Sequence, residues 1–484
     1  MFSRMRRFID SAIERAGFRS NDYRFRLALI LFSVAFLGAC NPSSKAPALD
    51  LPIYFTCDTD GRLEPCGCFT GQYGGLSRLK TVLDQEASDG SLRVDVGDAI
   101  GGHEDYDLIE YGYVLNAFAA MKYDAMNIGQ REAHLSATQL HTLKDTSPVP
   151  MLSANLLDKT NGRPIFDSYR IVQRGACRIA LIGVIDPRGM EHDLGDGLEI
   201  GDMETAIERC LAELQGKADV VVLLAFTDEA TLAQLADQFY ECRVILGGKV
   251  SQPAQHLVME NRSAISYVTN ESRALGILRL EVVNGAPPEV ISSEIRLMRD
   301  TIPQDPSVSD LVQAYRKKVR YTKLSVDDPN HLSADMVPDV RTLATYVGSE
   351  KCMSCHLTAA AVWKTSAHAR AFTALLTRNA DADPKCISCH TIGFGEPSGY
   401  RREFGATQLV NVGCESCHGP GSLHVLEKEG GTSISFTFRP LDAGDCMKCH
   451  QGEFSRPFKW DLFWPVIQHG KDPLSTGPPP NPSH

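Results

Sequence analysis

Cys414-Glu-Ser-Cys417-His418 is the third of four stretches after residue 350 that read Cys-x-x-Cys-His. The other three are Cys352/Cys355/His356, Cys386/Cys389/His390 and Cys446/Cys449/His450. The Cys and His frequencies of the chain predict roughly 0.01 such patterns by chance. Two thiols at this spacing reach the vinyl groups on one edge of a porphyrin, and the next imidazole binds the iron from one face. The pattern therefore predicts four covalently attached haem c groups.

A zinc site is the alternative for these motifs, since two Cys-x-x-Cys pairs can form a Cys₄ site. Zinc does not explain why a His follows every second Cys. Gly, Pro and charged residues also interrupt residues 346–470 at short intervals, and bound haems would supply the core that such a segment lacks. We therefore predict a mainly α, haem-packed tetrahaem cytochrome c domain over residues 346–470.

Each iron has a sixth coordination position, for which the remaining His residues of this region are candidates. His368, His424 and His469 are the favoured iron ligands beside the four motif imidazoles. Three ligands for four irons leave one position that stays open or takes His331, His484, a Met or His103. An open iron binds small molecules, whereas an iron with two His ligands only transfers electrons.

Residues 347–469 resemble the tetrahaem cytochromes that accept electrons from hydroxylamine oxidation in ammonia oxidisers. The resemblance rests on the first motif followed by Trp363 and Ser366-x-His368, and on the third motif continuing as Gly-Pro-Gly-x-x-His424. It implies electron transfer, and it implies three haems with two His ligands beside one open haem.

Residues 51–300 alternate apolar strand-like runs with helical patterns, which predicts an α/β sandwich. The predicted strands are 52–56, 92–96, 125–128, 179–185, 220–225 and 244–246. Asp, Gly and other polar residues follow these runs. Because strand ends carry the sites of α/β domains, we expect a site there.

The loops after these strands resemble, in order, those of the 5′-nucleotidase branch of the calcineurin-like metallophosphoesterases. The matching loops are Cys57-Asp-Thr-Asp-Gly-Arg, Gly74-Gly-Leu-Ser-Arg, Asp95-Val-Gly-Asp98, Gly129-Gln-Arg-Glu132 and Gly247-Gly-Lys-Val-Ser251. The resemblance implies that only Asp58 and Asp98 remain of the metal ligands. Asp60, Gln130, Phe226, Lys249 and Ser251 stand at the other ligand positions, and Arg131 at that of the catalytic His.

Phosphoester hydrolysis in this family needs two metal ions that activate water and neutralise the developing charge. We therefore expect a metallophosphoesterase-like domain without hydrolase activity. One oxygen-ligated cation at Asp58, Asp60, Asp98 and Gln130 is the residual metal site that the sequence leaves open.

Six Cys remain outside the haem motifs and Cys40, namely Cys57, Cys66, Cys68, Cys177, Cys210 and Cys242. An even number in an exported domain favours disulfides. Cys57, Cys66 and Cys68 cluster at the first loop, so a metal-binding or redox-active thiol site is the alternative. Free buried thiols are the third interpretation.

The N-terminus has the pattern of a bacterial lipoprotein. Basic residues precede the apolar run Leu27–Leu37, which is too short to cross a membrane, and Leu37-Gly-Ala-Cys40 resembles a lipobox. We predict a signal peptide at 1–39, lipidation of Cys40, a tether at 40–50 and a position in the bacterial cell envelope, facing the periplasm or the cell surface. Asn41-Pro42 favours the outer membrane. A helical linker is predicted at 301–345 and a Pro-rich tail at 471–484.

The composition excludes one class of partner and leaves three functions. A formal net charge of −11 argues against nucleic acid as a partner. The favoured function is periplasmic electron transfer between redox partner proteins, with the phosphoesterase-like domain as a docking module. The alternatives are a redox enzyme, acting on a small substrate at an open haem or at the Cys57/Cys66/Cys68 cluster, and a residual metal-dependent hydrolase.

Overall fold

Two β-sheets stacked face to face form the centre of the N-terminal half in this computed structural model. The structure describes residues 48–65, 72–190, 193–254, 256–268, 271–283, 286–328, 344–403, 407–432, 435–450 and 458–470. The signal peptide, Cys40, Cys66, Cys68, His331, the tail at 471–484 and most of the predicted tether lie outside these ranges. No helix within them is long and apolar enough to cross a membrane.

The strands of the described ranges all belong to the N-terminal half. In chain order they are β1 (Leu49–Thr56), β2 (Leu92–Asp95), β3 (Ala125–Asn127), β4 (Met151–Leu152), β5 (Leu156–Asp158), β6 (Arg163–Pro164), β7 (Tyr169–Arg174), β8 (Cys177–Ile185), β9 (Leu198–Ile200), β10 (Val220–Phe226), β11 (Cys242–Gly247), β12 (Val258–Glu260), β13 (Ser263–Tyr267), β14 (Ala274–Val282) and β15 (Glu289–Leu297). The six runs predicted as strands correspond to β1, β2, β3, β8, β10 and β11.

The α-helices of the described ranges occur in both halves. They are α1 (Leu76–Glu86), α2 (Asp105–Ala120), α3 (Ala137–Thr146), α4 (Met203–Leu214), α5 (Glu229–Gln238), α6 (Pro306–Tyr321), α7 (Ser349–Met353), α8 (Leu357–Thr365), α9 (Ala371–Leu376), α10 (Pro384–His390), α11 (Cys414–His418), α12 (Ser422–Lys428), α13 (Ala443–Met447) and α14 (Trp460–Ile467).

Over the described residues, the first large sheet has the order β15-β14-β1-β2-β3-β4 and the second has β12-β13-β11-β10-β8-β7. Alternate residues of β1, such as Ile53 and Phe55, pack against Leu181 and Leu224 of the second sheet. Helices cover both outer faces, α1 and α2 on the first sheet and α4 and α5 on the second. The predicted α/β sandwich is therefore confirmed as a four-layer arrangement. Since β1, β2 and β3 are parallel, the loops that follow them meet at one edge.

Helix α6 lies where the sequence predicted the start of a linker, and it packs on the outer face of the first sheet. Val308, Val312, Tyr315 and Val319 form a buried stripe with a spacing of three or four residues. Asp305 caps the helix by accepting a hydrogen bond from the Val308 amide. The helix is therefore part of the core of the N-terminal half.

The C-terminal part consists of short helices joined by loops, as predicted for a mainly α domain. Within the described ranges its apolar core is small and comprises Leu375, Ala380, Ile387, Ile392, Tyr400 and Leu409. Hydrogen bonds to a buried carboxylate also hold this part together, since Glu415 accepts from the amides of Val347, Gly348 and Gly421. So small a core fits a domain that packs around a prosthetic group.

Candidate functional sites

Each Cys-x-x-Cys-His motif begins in or at the end of a short helix. The motif cysteines lie on α7, α10, α11 and α13 or within the turn that follows. One helical turn brings residues i and i+3 to the same face, so both thiols of a motif can reach one porphyrin edge. Asp383 and Asp442 cap two of these helices by accepting backbone hydrogen bonds.

Cys355 differs from the other motif cysteines in its exposure. Cys355 is exposed, whereas the seven other motif cysteines are half-buried. The cause is local, since α7 ends at Met353 and Cys355 lies in the turn that follows. Its amide donates to the Cys352 carbonyl oxygen at 3.2 Å, and the Ser354 hydroxyl lies 3.8 Å from its sulfur. A covalent bond from Cys355 to the first haem therefore stays a prediction.

Three motif imidazoles each face an imidazole from elsewhere in the domain. The ring centres are 6.1 Å apart for His356 and His424, 5.9 Å for His368 and His450, and 5.9 Å for His418 and His469. An iron held between two imidazoles, with Fe–N bonds of ~2 Å, separates the ring centres by roughly 6 Å. This spacing fits an iron between the two rings of each pair, and all three histidines predicted as sixth ligands belong to these pairs.

The fourth motif imidazole, His390, has a different environment. Its Nδ1 lies 2.6 Å from the carbonyl oxygen of Ala371, which leaves Nε2 for an iron. Among the residues that the structure describes, no imidazole faces His390 as in the three pairs. His103, considered above for the vacant position, follows β2 in the N-terminal half.

Burial also favours the metal-binding form of these side chains. It lowers the pKa of His368, His390, His418 and His450 below the usual value for histidine. The neutral imidazole is the form that binds a metal. Neutral rings are thus available near neutral pH.

The motifs also contact one another. The side chains of Cys352 and Cys414 lie near enough to interact, so the first motif adjoins the third. Cys389 and Cys449 join the second motif to the fourth in the same way. The four motifs therefore form two adjacent pairs, the first with the third and the second with the fourth.

At the edge where β1, β2 and β3 end, three carboxylates surround one guanidinium. A nitrogen of Arg131 lies 2.6 Å from an oxygen of Asp58, 3.6 Å from one of Asp60 and 3.8 Å from one of Asp98. Burial raises the pKa of Asp98 and Asp60, and the positive charge of Arg131 opposes that rise. Burial alone would lower the pKa of Arg131, but the carboxylates outweigh it and keep the guanidinium charged.

Glu132 fixes the loop that carries Asp98. Its buried carboxylate accepts hydrogen bonds from the amides of Asp98, Ala99, Ile100 and Gly129. Sequence reasoning placed Glu132 in a matching loop without assigning it this role, because only the fold shows that four amides converge on it.

Gln130 points away from the three carboxylates. Its side-chain amide donates to the carbonyl oxygens of Asp186, at 2.6 Å, and Arg188, at 3.1 Å. The ammonium of Lys249 donates to the Arg188 carbonyl as well. The residual cation site at Asp58, Asp60, Asp98 and Gln130 is therefore not formed, because Arg131 compensates the carboxylates and Gln130 binds another loop. Among the described residues no group of three His, Cys, Asp or Glu side chains could hold a metal ion.

Cys57 is buried under the same loops. Its thiol lies 3.5 Å from the Gly97 carbonyl oxygen, and a Cβ atom on Gly248 would lie only 1.8 Å from its sulfur. Burial raises the pKa of the Cys57 thiol well above its usual value, which suppresses the reactive thiolate. Within the described ranges Cys57, Cys177, Cys210 and Cys242 are free thiols, so the expected disulfides do not link them.

Ion pairs connect the two halves of the chain at positions that no motif indicated. Lys385, next to the second haem motif, pairs with Glu110 of α2, and Arg320 of α6 pairs with Asp381. Arg402 and Asp327 form a pair in which both side chains are buried. The described residues from Leu49 onward accordingly form one compact unit.

Comparison with known proteins places each half separately. The family described as cytochrome c554 and c-prime matches residues 351–419, which hold the first three motifs. Cytochrome c-554 of Nitrosomonas europaea is 41% identical over 93 residues, which cover 16% of this chain and 40% of that protein.

The N-terminal half is similar to a different group. The 5′-nucleotidase of Vibrio cholerae is 31% identical over 217 residues, 41% of this chain and 38% of that protein. The structure of a 5′-nucleotidase precursor from Thermus thermophilus superposes with a TM-score of 0.50 at 21% identity, covering 56% of this chain and 59% of that one. The chain thus spans less than half the length of these two curated relatives, and the structural match shows a shared fold. The chain combines a C-terminal cytochrome c554-type domain with an N-terminal domain that resembles the 5′-nucleotidases and calcineurin-like phosphoesterases.

Proposed function

We propose that this protein is an exported, lipid-anchored tetrahaem c-type cytochrome that passes single electrons between redox partner proteins in the periplasm. The observation that carries the proposal is the set of three facing imidazole pairs, each joining one motif His to His368, His424 or His469. A bound haem c supplies an iron that changes oxidation state by one electron. At these three sites two imidazoles of the chain would hold the iron, which suits electron transfer without a change of ligands.

The contacts between motifs favour a continuous electron path. The first motif adjoins the third through Cys352 and Cys414, and the second adjoins the fourth through Cys389 and Cys449. Cys417 and Cys446 lie near enough to interact, which joins the two pairs. An electron could thus move along the order first, third, fourth, second.

The phosphoesterase-like domain serves in this proposal as a docking and scaffolding module. Arg131 neutralises the carboxylates that would otherwise attract metal ions, and hydrolysis in this fold depends on those ions. The domain is also joined to the cytochrome part by buried ion pairs such as Arg402–Asp327. A residual hydrolase is therefore disfavoured.

A second candidate function is conversion of a small substrate at an open iron. It is favoured by His390, which has no facing imidazole among the described residues, while its Nδ1 is held by the Ala371 carbonyl. The alternative thiol site is disfavoured, since Cys57 is buried and its thiol pKa is raised.

A pyridine haemochrome assay together with the intact mass tests the haem number, using protein matured by a cytochrome c assembly system. We expect four haems per chain, and one fewer when both Cys446 and Cys449 are replaced by Ala. Fewer than three haems in the unaltered protein would refute the proposal.

A further inference from the structure

A buried ionic cluster joins the second haem motif to the phosphoesterase-like domain. The ammonium of Lys385 lies 2.6 Å from an oxygen of Glu110 and 2.9 Å from one of Asp107. The side chains of Lys385, Glu110 and Asp107 are 23%, 9% and 6% exposed. Pairs so withdrawn from water are much stronger than surface pairs, and removing one partner leaves the other charge uncompensated.

Two glycines, in the loops after β1 and β2, leave the space that the side chains of the cluster occupy. A Cβ atom on Gly101 would lie 2.5 Å from the Lys385 ammonium, and one on Gly61 would lie 2.7 Å from the Glu110 carboxylate. These loops also carry Asp60 and Asp98 of the modified phosphoesterase site. The domain thus receives a side chain of the cytochrome part close to its former metal-binding edge.

The cluster and the residues around it carry more negative than positive charge. Asp107 and Glu110 contact the Lys385 ammonium, and the Asp383 carboxylate, which accepts a hydrogen bond from the Lys385 backbone amide at 3.1 Å, lies near enough to act on both Lys385 and Glu110. The other titratable or charged groups that act on the cluster are Tyr106 of α2, Tyr315 and Arg316 of α6, and Asp60. Such an excess favours binding of a proton by one carboxylate.

The position of the cluster connects it to one haem. Lys385 directly precedes Cys386, and α10, which carries both residues, ends at His390. A charge held on this helix therefore acts on the second haem site more strongly than on the other three, because Coulomb energy falls with distance and with solvent screening.

We propose that the phosphoesterase-like domain is part of the second haem site. Lys385 is the positioning residue that docks α10 onto this domain. Glu110 is the acid that binds a proton when that iron is reduced. The inference rests on the proposed function, since it requires a haem on His390. When an electron from a redox partner arrives at this site, Glu110 takes up a proton from solvent, and it releases the proton on oxidation. Proton and electron binding favour each other reciprocally by linkage.

The direction of the pH dependence follows from the charges. Burial raises the pKa of Glu110 to about 7, and the like charge of Asp383 also raises it, while Lys385 lowers it. Burial would lower the pKa of Lys385, but the carboxylates outweigh it and keep the ammonium charged. Deprotonation of Glu110 above this pKa adds negative charge, which favours the oxidised iron. The midpoint potential of this haem should therefore fall as pH rises through neutrality.

Optical redox titration of the four-haem protein at pH 6, 7 and 8 tests the proposal. One component of the titration should shift with pH in the unaltered protein. Glu110→Gln removes a negative charge and should raise the potential of that component and abolish its pH dependence. Lys385→Met removes a positive charge and should lower the same potential, whereas Lys385→Arg should keep it near the original value.

Arg320→Gln is the matched control, because it breaks another ion pair between the two halves, with Asp381, and Arg320 is not among the charged groups that act on the cluster. It should leave all four components unchanged. Shifts of the same sign in Glu110→Gln and Lys385→Met, or an unchanged pH dependence in Glu110→Gln, would overturn the proposal. The haem content of each variant is measured first by haemochrome assay. A low haem number in the unaltered protein would contradict the proposed function, whereas failure of the opposite shifts would contradict only the role of the cluster.

Discussion

The guanidinium of Arg131 donates a hydrogen bond of 2.6 Å to the Asp58 carboxylate at the edge where the parallel strands β1, β2 and β3 end. The backbone amide of Arg131 also donates to Asp98, at 2.9 Å. One residue thus ties together the two carboxylates that match family metal ligands. A fixed positive charge on the chain replaces the charge that metal ions supply in active phosphoesterases.

Replacing Arg131 with Ala should destabilise the protein by about 3 kcal/mol, because it removes the charge that compensates Asp58 and Asp98. It leaves Asp60 paired with Arg62, at 3.7 Å. Burial raises the pKa of Asp60 and Asp98 in the folded chain, so protonation stabilises the fold at low pH and that contribution is lost as pH rises. Loss of Arg131 raises both pKa values further. Urea unfolding followed by circular dichroism should show that Arg131→Ala lowers the free energy of unfolding less at pH 5 than at pH 8.

Arg178→Ala is the control for that measurement. Arg178 and Asp219 form an ion pair whose side chains are 41% and 37% exposed, so its loss should destabilise the protein far less than loss of Arg131. Equal effects of the two substitutions would contradict the role assigned to Arg131.

The protein should not hydrolyse nucleotides or model phosphodiesters with added Mn²⁺ or Zn²⁺. Arg131 occupies the carboxylate cluster, and Gln130 binds the loop at Asp186 and Arg188. Release of phosphate or nitrophenol is the measurement. Activity that disappears in Asp98→Ala would show that the modified site still binds catalytic metal.

Local spacing in the sequence predicted much of this structure. Strands such as β8 and β10 follow from continuous apolar runs, and the haem motifs from a fixed spacing of Cys and His. The roles of Arg131 and Gln130 could not be read in the same way. These two residues are adjacent in the chain, but the turn after β3 directs their side chains to different partners. Arg131 binds Asp58, whereas Gln130 binds the carbonyl oxygen of Asp186.

Contacts between residues far apart in the sequence were predicted only where a haem iron requires a second ligand. His368, His424 and His469 were expected as iron ligands because few other histidines stand in that region, but their pairing with particular motifs appears only in the fold. Lys385 and Glu110 carry no motif, and their contact depends on how α2 and α10 pack. The only signal was a lysine directly before Cys386.

Cys40 is predicted to be the mature N-terminus and to carry the acyl chains that hold the protein on the membrane. Cys40→Ala should therefore release a soluble periplasmic form, since each buried methylene contributes about 0.8 kcal/mol to anchoring. Fractionation followed by mass spectrometry measures this. If the variant stays with membranes after a high-salt wash, another anchor or an integral partner holds it.

Each proposed sixth ligand can be removed singly. His368→Ala, His424→Ala and His469→Ala should each convert one low-spin haem to high spin, as seen by low-temperature electron paramagnetic resonance. His141→Ala is the control, because His141 lies on α3 and contacts Asp158, far in sequence from the motifs. A variant with an unchanged spectrum would show that its His does not bind iron.

The spin states of the unaltered, fully oxidised protein test the central claim most directly. Three facing imidazole pairs, and a His390 that no imidazole faces among the described residues, predict three low-spin haems and one high-spin haem in the low-temperature electron paramagnetic resonance spectrum. Nitric oxide should alter the high-spin signal first. Four low-spin haems with no response to nitric oxide would contradict the open site and leave a pure electron carrier.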